Sequence, residues 1–112
     1  MLEDHAGRSI FVSAPDGLRL HARCYGPRSA ERTVVCLPGL ARTAADFESL
    51  AEALAAPGQG RRMIALDYRG RGLSDYDRDP ANYNFHVELA DLQAVLTALD
   101  ALPATFIGTS RG

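Results

Sequence analysis

Hydrophobic and polar positions alternate along the first quarter of the chain. The alternation runs through residues 8–14 and again through residues 18–25, with the turn-forming sequence Pro15-Asp16-Gly17 between them. A period of two is typical of strands with one covered and one exposed face. The short turn predicts that the two strands pair as an antiparallel hairpin near a sheet edge. We therefore expect the polar face of the second strand to be exposed; it carries Arg19, His21 and Arg23.

Three later segments are apolar without alternation, which predicts strands covered on both faces, as in a parallel sheet. They are residues 33–37, 63–66 and 105–107. Alternation of such strands with helices indicates right-handed crossovers and a mostly parallel sheet. The predicted fold class is α/β, with helices on both faces of the sheet, and the chain supplies five strands and two helices.

The two predicted helices begin at recognisable polar residues. The first has Thr43 as its N-cap, runs to about residue 56 and stops before Pro57-Gly58. Its inward side chains are predicted to be Phe47, Leu50 and Leu54. The second spans about residues 84–101, because apolar residues recur there every three or four positions. They are Phe85, Leu89, Leu92, Leu96 and Leu99.

Composition places the chain among globular proteins. It has 112 residues, of which 46% are hydrophobic and 23% charged, and no apolar run approaches the roughly 20 residues that cross a bilayer. A net charge of −2 gives no reason to expect nucleic acid or anionic lipid as a partner. The polar first residues differ from a secretory signal, so we expect a cytoplasmic protein. Cys24 and Cys36 lack metal-type spacing and are expected to be buried free thiols.

The strand at residues 105–107 leads into Gly108-Thr109-Ser110-Arg111-Gly112. Gly-x-Ser-x-Gly after a strand is the pattern of a nucleophile elbow, a tight turn that lifts a serine clear of the sheet. Ser110 is therefore the candidate nucleophile, the alternative being a helix N-cap serine. Three histidines, His5, His21 and His86, all precede it, and each is expected to be a surface residue.

A long loop follows the second buried strand, and it contains Asp67, Gly70, Gly72 and Ser74. The glycines predict special backbone angles, and the carboxylate and hydroxyl can bond to local N–H groups. A dinucleotide-binding loop is excluded because the third glycine is replaced by Asp75 and no helix opens there. The loop is therefore expected to be structural and to lie beside the active site.

Together these motifs resemble the alpha/beta-hydrolase fold superfamily, over residues 8–112. Pro38-Gly39-Leu40 resembles the His-Gly-x turn after the third strand, with proline in place of histidine. Residues 67–75 look like the Asp-x-x-Gly-x-Gly-x-Ser loop after the fourth strand, and residues 108–112 look like the elbow after the fifth.

The resemblance implies that residues 1–112 are the N-terminal part of one hydrolase domain whose C-terminal half is missing. The intact protein would attack an ester, thioester, amide or related carbonyl of a small acyl substrate through Ser110, with no cofactor or metal. Backbone N–H groups of Leu40 and Arg111 would form the oxyanion hole, and Gly39, Gly108 and Gly112 would be the turn and elbow glycines.

The same resemblance leaves a second reading open. The catalytic acid and histidine of the family follow the elbow, so in this chain they would follow Gly112. The alternative is therefore a truncated or non-catalytic fragment, and we expect the 112 residues alone to be inactive and to expose an apolar strand at residues 105–107. The substrate and the oligomeric state do not follow from the sequence.

Overall fold

The computed structural model describes residues 7–39 and 43–108. The strands and helices in these two ranges are β1 (Arg8–Ser13), β2 (Arg19–Tyr25), β3 (Arg32–Leu37), α1 (Glu48–Leu54), β4 (Arg61–Asp67), α2 (Phe85–Ala98) and β5 (Thr105–Gly108). A single 3-10 turn precedes each helix, Ala44–Phe47 before α1 and Pro80–Asn82 before α2. The predicted element order is confirmed.

The five strands form one sheet in the order β1-β2-β4-β3-β5. The β1–β2 hairpin is antiparallel and joins β4 through β2, also antiparallel. In contrast, β3 pairs in parallel with both β4 and β5. The carboxyl ends of β3, β4 and β5 therefore meet at one edge of the sheet, which is where ligands bind in α/β folds.

Two apolar cores lie on opposite faces of this sheet. One contains Leu66 of β4 and Leu96 of α2, and the other contains Ala65 of β4 and Phe47 beside α1. Since neighbouring residues of a strand point to opposite faces, the helices cover both faces, as predicted. Cys24 belongs to the first core and Cys36 to the second. Both are buried and free, in agreement with the sequence.

The predicted inner faces of the helices are partly wrong. In α1 the buried residue is Ala51, followed by Ala55 just after the helix, whereas Leu50 is 42% exposed. In α2 the predicted Leu96 is buried, but Phe85 and Leu89 in its first half are 68% and 40% exposed. Periodicity identifies the apolar stripe of a helix but not how much of that stripe a neighbouring element covers. Among the described residues, nothing covers the beginning of α2.

The expectation for the third buried strand also needs correction. Phe106 is 47% exposed, and β5 is an edge strand whose pairing partner in the described ranges is β3. An apolar run predicts a strand with covered faces, but the covering element is not among these residues. The alternative expectation, an exposed apolar strand at the sheet edge, matches the structure.

Candidate functional site

The predicted site residues divide between those the structure describes and those it does not. Gly39 and Gly108 lie in the described ranges, and Leu40, Ser110, Arg111 and Gly112 lie outside them. Gly108 ends β5 directly opposite Leu37, the last residue of β3. The segments that leave these two strands, one toward Leu40 and the other toward Ser110, therefore begin side by side at the carboxyl edge of the sheet.

Asp67, the last residue of β4, connects three segments at this edge. It is buried, and its Oδ1 accepts a hydrogen bond of 2.6 Å from the backbone N–H of Ala44. Its Oδ2 accepts one of 3.1 Å from Leu73 N–H and lies 2.7 Å from Nδ1 of His21. The bond to Ala44 replaces the predicted cap, because the Thr43 side chain makes no capping hydrogen bond. One carboxylate thus fixes β2, the start of the α1 region and the loop after β4.

The loop after β4 folds around this carboxylate, as its sequence predicts. Gly72 has a φ of +52°, and a Cβ there would overlap the Asp67 carboxylate, so glycine is required for two reasons. The Ser74 hydroxyl donates to Asp67 C=O over 2.7 Å and accepts from His21 N–H over 2.8 Å. The predicted local hydrogen bonding of Asp67 and Ser74 is confirmed.

His21 is not the surface residue that strand alternation predicts. Its exposed fraction is 3%, and its two ring nitrogens contact Asp67 Oδ2 at 2.7 Å and Ser9 Oγ at 2.9 Å. A polar side chain can be buried when its hydrogen bonds are satisfied. The sequence contains no signal for the burial of His21, because His21 alternates with two arginines as an exposed residue would. The sequence alone also does not show that β2 and β4 pair so that Asp67 lies next to His21 on the same face of the sheet.

A second buried cluster, centred on Arg69, was also missed. Its Nε and one terminal nitrogen each donate to the Asp91 carboxylate over 2.7 Å. The other terminal nitrogen donates to Asp77 over 2.7 Å and to Asp16 over 3.0 Å. The hydrogen bonds that Arg69 donates to these carboxylates, first of all to Asp91, raise the pKa of Arg69 and outweigh the effect of burial. The sequence does contain one signal for this cluster. Asp91 lies four residues before Val95, which places an acidic side chain on the apolar face of α2 and indicates a buried cationic partner.

The same loop reaches the turn after β3. Arg71 donates to Gly39 C=O over 3.4 Å. The Tyr83 hydroxyl accepts from Asp77 N–H and donates to Asp77 C=O, over 2.7 and 2.8 Å. A Cβ on Gly70, whose φ is +79°, would lie 2.8 Å from the Tyr83 ring. The loop is therefore fixed by its own side chains beside the predicted site, as expected.

Residues 7–39 and 43–108 contain neither a candidate metal site nor a helix that could span a membrane. No group of three histidine, cysteine or acidic side chains there is arranged to hold a metal ion. Neither helix of this part of the chain has the length and apolar content needed to cross a bilayer.

Comparison with known proteins identifies relatives of this arrangement. Residues 32–112 match the family described as alpha/beta hydrolase fold. The chain is 30% identical over 105 residues to a 3-hydroxybutyrate-oligomer hydrolase of Cupriavidus necator, covering 91% of this chain and 35% of that protein. It is 34% identical over 93 residues to a serine hydrolase-like protein of Danio rerio, covering 83% of this chain and 27% of the relative.

Solved structures show the same architecture. The fold matches an alpha/beta hydrolase from Novosphingobium aromaticivorans with a TM-score of 0.87 and 41% sequence identity, over 96% of this chain and 36% of that one. The chain thus spans about a third of the length of the curated relatives and of this structure.

Proposed function

The chain belongs to the alpha/beta-hydrolase fold family, and on that premise we propose that the whole protein is a serine hydrolase with Ser110 as its nucleophile. The observation that carries the proposal is the pairing of Gly108 with Leu37. It starts the Gly-x-Ser-x-Gly segment beside the Pro38-Gly39-Leu40 segment, so that a nucleophile and an oxyanion hole can be built at one edge of the sheet.

The proposed reaction is acyl transfer to water. The Ser110 hydroxyl attacks the carbonyl carbon of an ester, thioester or amide, and its proton passes to a general base. The backbone N–H groups of Leu40 and Arg111 stabilise the negative charge on the carbonyl oxygen; one such donor contributes about 3 kcal/mol to transition-state stabilisation. The leaving group departs, and water then hydrolyses the acyl-Ser110 intermediate.

Residues of the described ranges would support this chemistry by holding the segment that contains Leu40 in place. Asp67 holds Ala44 through a 2.6 Å hydrogen bond, and Arg71 contacts the carbonyl of Gly39. These contacts fix both ends of the segment that contains Leu40. Pro38 is buried at the end of β3. Since the proposed donors are the N–H groups of later residues, the replacement of a family histidine by Pro38 leaves the oxyanion hole possible.

The printed names of two relatives support a hydrolase. One is a hydrolase of 3-hydroxybutyrate oligomers and the other is serine hydrolase-like. The chain covers only 35% and 27% of these two relatives, so the proposal names no substrate narrower than a small acyl compound. A cytoplasmic location stays an expectation from the sequence.

A second candidate is a non-catalytic module made of these 112 residues alone. The exposure of β5, an apolar edge strand with Phe106 half exposed, argues against a self-contained module, because such an edge invites pairing with further chain. We propose that residues 1–112 are one part of a single hydrolase domain and that, expressed alone, they do not hydrolyse esters. His21 lies on β2, which β4 and β3 separate from β5 in the sheet order, and its Nε2 faces Ser9, so we do not propose it as the base for Ser110.

The test is labelling of the whole protein with a fluorophosphonate, a reagent that reacts with activated serines. We expect one equivalent of label on the peptide that contains Ser110, and loss of that label in Ser110→Ala. The matched control is Ser29→Ala, which removes an exposed loop hydroxyl and should leave the labelling unchanged. A folded whole protein with no label on Ser110 would sink the proposal.

A further inference from the structure

A cavity of about 310 Å³ lies on the α1 side of the sheet, beside the β1–β2 hairpin. Its lining includes Ser9 and Arg23 from the hairpin, His21 at its base, Asp67, and Leu73 from the loop after β4. The hydrolase site proposed above is built on β3 and β5, which are separated from β1 and β2 by β4 in the sheet order. Ser9 and His21 therefore lie apart from the strands that lead to Leu40 and Ser110, although the cavity also reaches Ala44 and Asp67, which position the Leu40 segment.

Three polar side chains in this cavity form a continuous hydrogen-bonded line. Ser9 Oγ lies 2.9 Å from His21 Nε2, and His21 Nδ1 lies 2.7 Å from Asp67 Oδ2. Asp67 also accepts from Ala44 and Leu73 N–H, which is the pattern of an ionised carboxylate. An ionised carboxylate can only accept, so a neutral His21 carries its proton on Nδ1 and leaves Nε2 to accept from the Ser9 hydroxyl.

The surroundings of Ser9 supply groups that can stabilise negative charge. The guanidinium of Arg23 donates to Ser9 Oγ over 3.2 Å. Tyr25 also lines the cavity, and its hydroxyl is buried with no hydrogen-bond partner in the part of the chain that the structure describes. Ser9 is exposed and His21 is buried behind it. A reactant can therefore reach the hydroxyl while the imidazole remains held by Asp67.

We propose that Ser9, His21 and Asp67 form a second acyl-transfer site. A triad is recognised by its geometry and by the roles of its members rather than by their order in the chain. Ser9 Oγ forms a bond to the carbonyl carbon of a small ester, and its proton moves to His21 Nε2. The bond from that carbon to the alcohol oxygen breaks, and the alcohol leaves with the proton from Nε2. The product is acyl-Ser9, which water can hydrolyse by the same path.

The first test uses the whole protein carrying Ser110→Ala, so that the elbow serine cannot react. A fluorophosphonate should then phosphonylate Ser9, with loss of fluoride, and fragment-ion mass spectra should locate the label. Adding Ser9→Ala should abolish the label. Ser13→Ala is the matched control, since Ser13 lies on the same exposed face of β1 but no histidine of the described ranges hydrogen-bonds to it. No label on Ser9, or equal labels on Ser9 and Ser13, would overturn the proposal.

A second test avoids His21 variants, which would disturb the packing of Asp67. Ser9→Cys and Ser13→Cys place a thiol at each of the two positions. A thiol beside an imidazole is activated as a thiolate, so we expect Ser9→Cys to react with iodoacetamide at least about tenfold faster than Ser13→Cys. The native thiols give little background, because burial raises the pKa of Cys36 to about 11 and also raises that of Cys24. Equal rates would contradict an activating role of His21.

Both tests are independent of the proposed elbow chemistry. Labelling of Ser110 without Ser9 would support the hydrolase proposal and overturn this one. Labelling of Ser9 in a protein whose Ser110 does not react would do the reverse.

Discussion

At the scale of single residues, three side chains that can carry positive charge are buried together with hydrogen-bond partners. His21 is held by Asp67, Arg69 by Asp91, and Arg62 donates to Leu99 C=O over 2.8 Å at the end of α2. Burial without such bonds would cost several kcal/mol for each charge. The arrangement explains why the loop after β4 can follow an irregular path next to the core: its polar groups are satisfied by Asp67, Asp77 and Ser74.

The outermost member of the Arg69 cluster predicts a pH dependence of stability. The pKa of Asp16 is lowered, first by its hydrogen bond with Arg69 and then by that with Leu18 N–H. Because the folded pKa lies below the unfolded value of about 3.9, Asp16 contributes stability above that pH and loses the contribution as pH falls through the folded pKa.

Asp16→Asn should therefore lower the free energy of unfolding at pH 7, and its difference from the unsubstituted protein should shrink as pH falls below about 4. Denaturant titrations of both proteins between neutral and acid pH measure this. The control is Glu31→Gln, an exposed acid on the polar loop before β3, which should show no such convergence. A deficit of Asp16→Asn that persists unchanged into acid would contradict the assignment.

At the scale of elements, Arg69 joins three parts of the chain: the loop after β4, α2 through Asp91, and the hairpin turn through Asp16. Asp91→Asn removes the buried carboxylate that accepts two of the Arg69 hydrogen bonds, but leaves the guanidinium with Asp77 and Asp16. It should lower the free energy of unfolding by about 1–3 kcal/mol, measured by denaturant unfolding. The joint replacement Arg69→Met with Asp91→Leu should recover much of that loss.

The control for that change is an ion pair on the surface. Arg19 and Asp75 lie 3.7 Å apart and both are exposed, so Asp75→Asn should cost at most about 1 kcal/mol. Equal costs for Asp91→Asn and Asp75→Asn would show that the buried cluster does not stabilise the fold as argued.

The elements themselves follow from periodicity, whereas their packing does not. All five strands and both helices were predicted, because alternation, apolar runs and turn residues act over short distances. Leu50 and Phe85 were assigned to inner faces and are exposed, because burial depends on elements that are distant in sequence. His21 was missed for the same reason: its partner Asp67 is 46 residues away.

For the candidate site, the sequence motifs predict the structure of the loop after β4 and the place where two of the site segments meet. The glycines and polar residues of the loop after β4 have the predicted positive φ values and hydrogen bonds. The Gly39 and Gly108 segments meet at one edge of the sheet, as the strand order requires. The roles of Leu40, Ser110, Arg111 and Gly112 stay predictions, since these residues lie outside the described ranges.

At the scale of the whole molecule, these residues form a five-stranded sheet with cores on both faces, and its apolar edge strand β5 leads toward Ser110. The molecule spans about a third of the length of its curated relatives. On this basis we propose that the whole protein forms an acyl-enzyme on Ser110.

Trapping the acyl-enzyme tests that claim most directly. The whole protein is mixed with p-nitrophenyl acetate, quenched in acid within the first turnover, digested and analysed by mass spectrometry. We predict an acetyl group on the peptide containing Ser110, a burst of p-nitrophenol of about one equivalent, and loss of both in Ser110→Ala. Ester hydrolysis that continues undiminished in Ser110→Ala, or with no acetyl group on Ser110, would contradict the account.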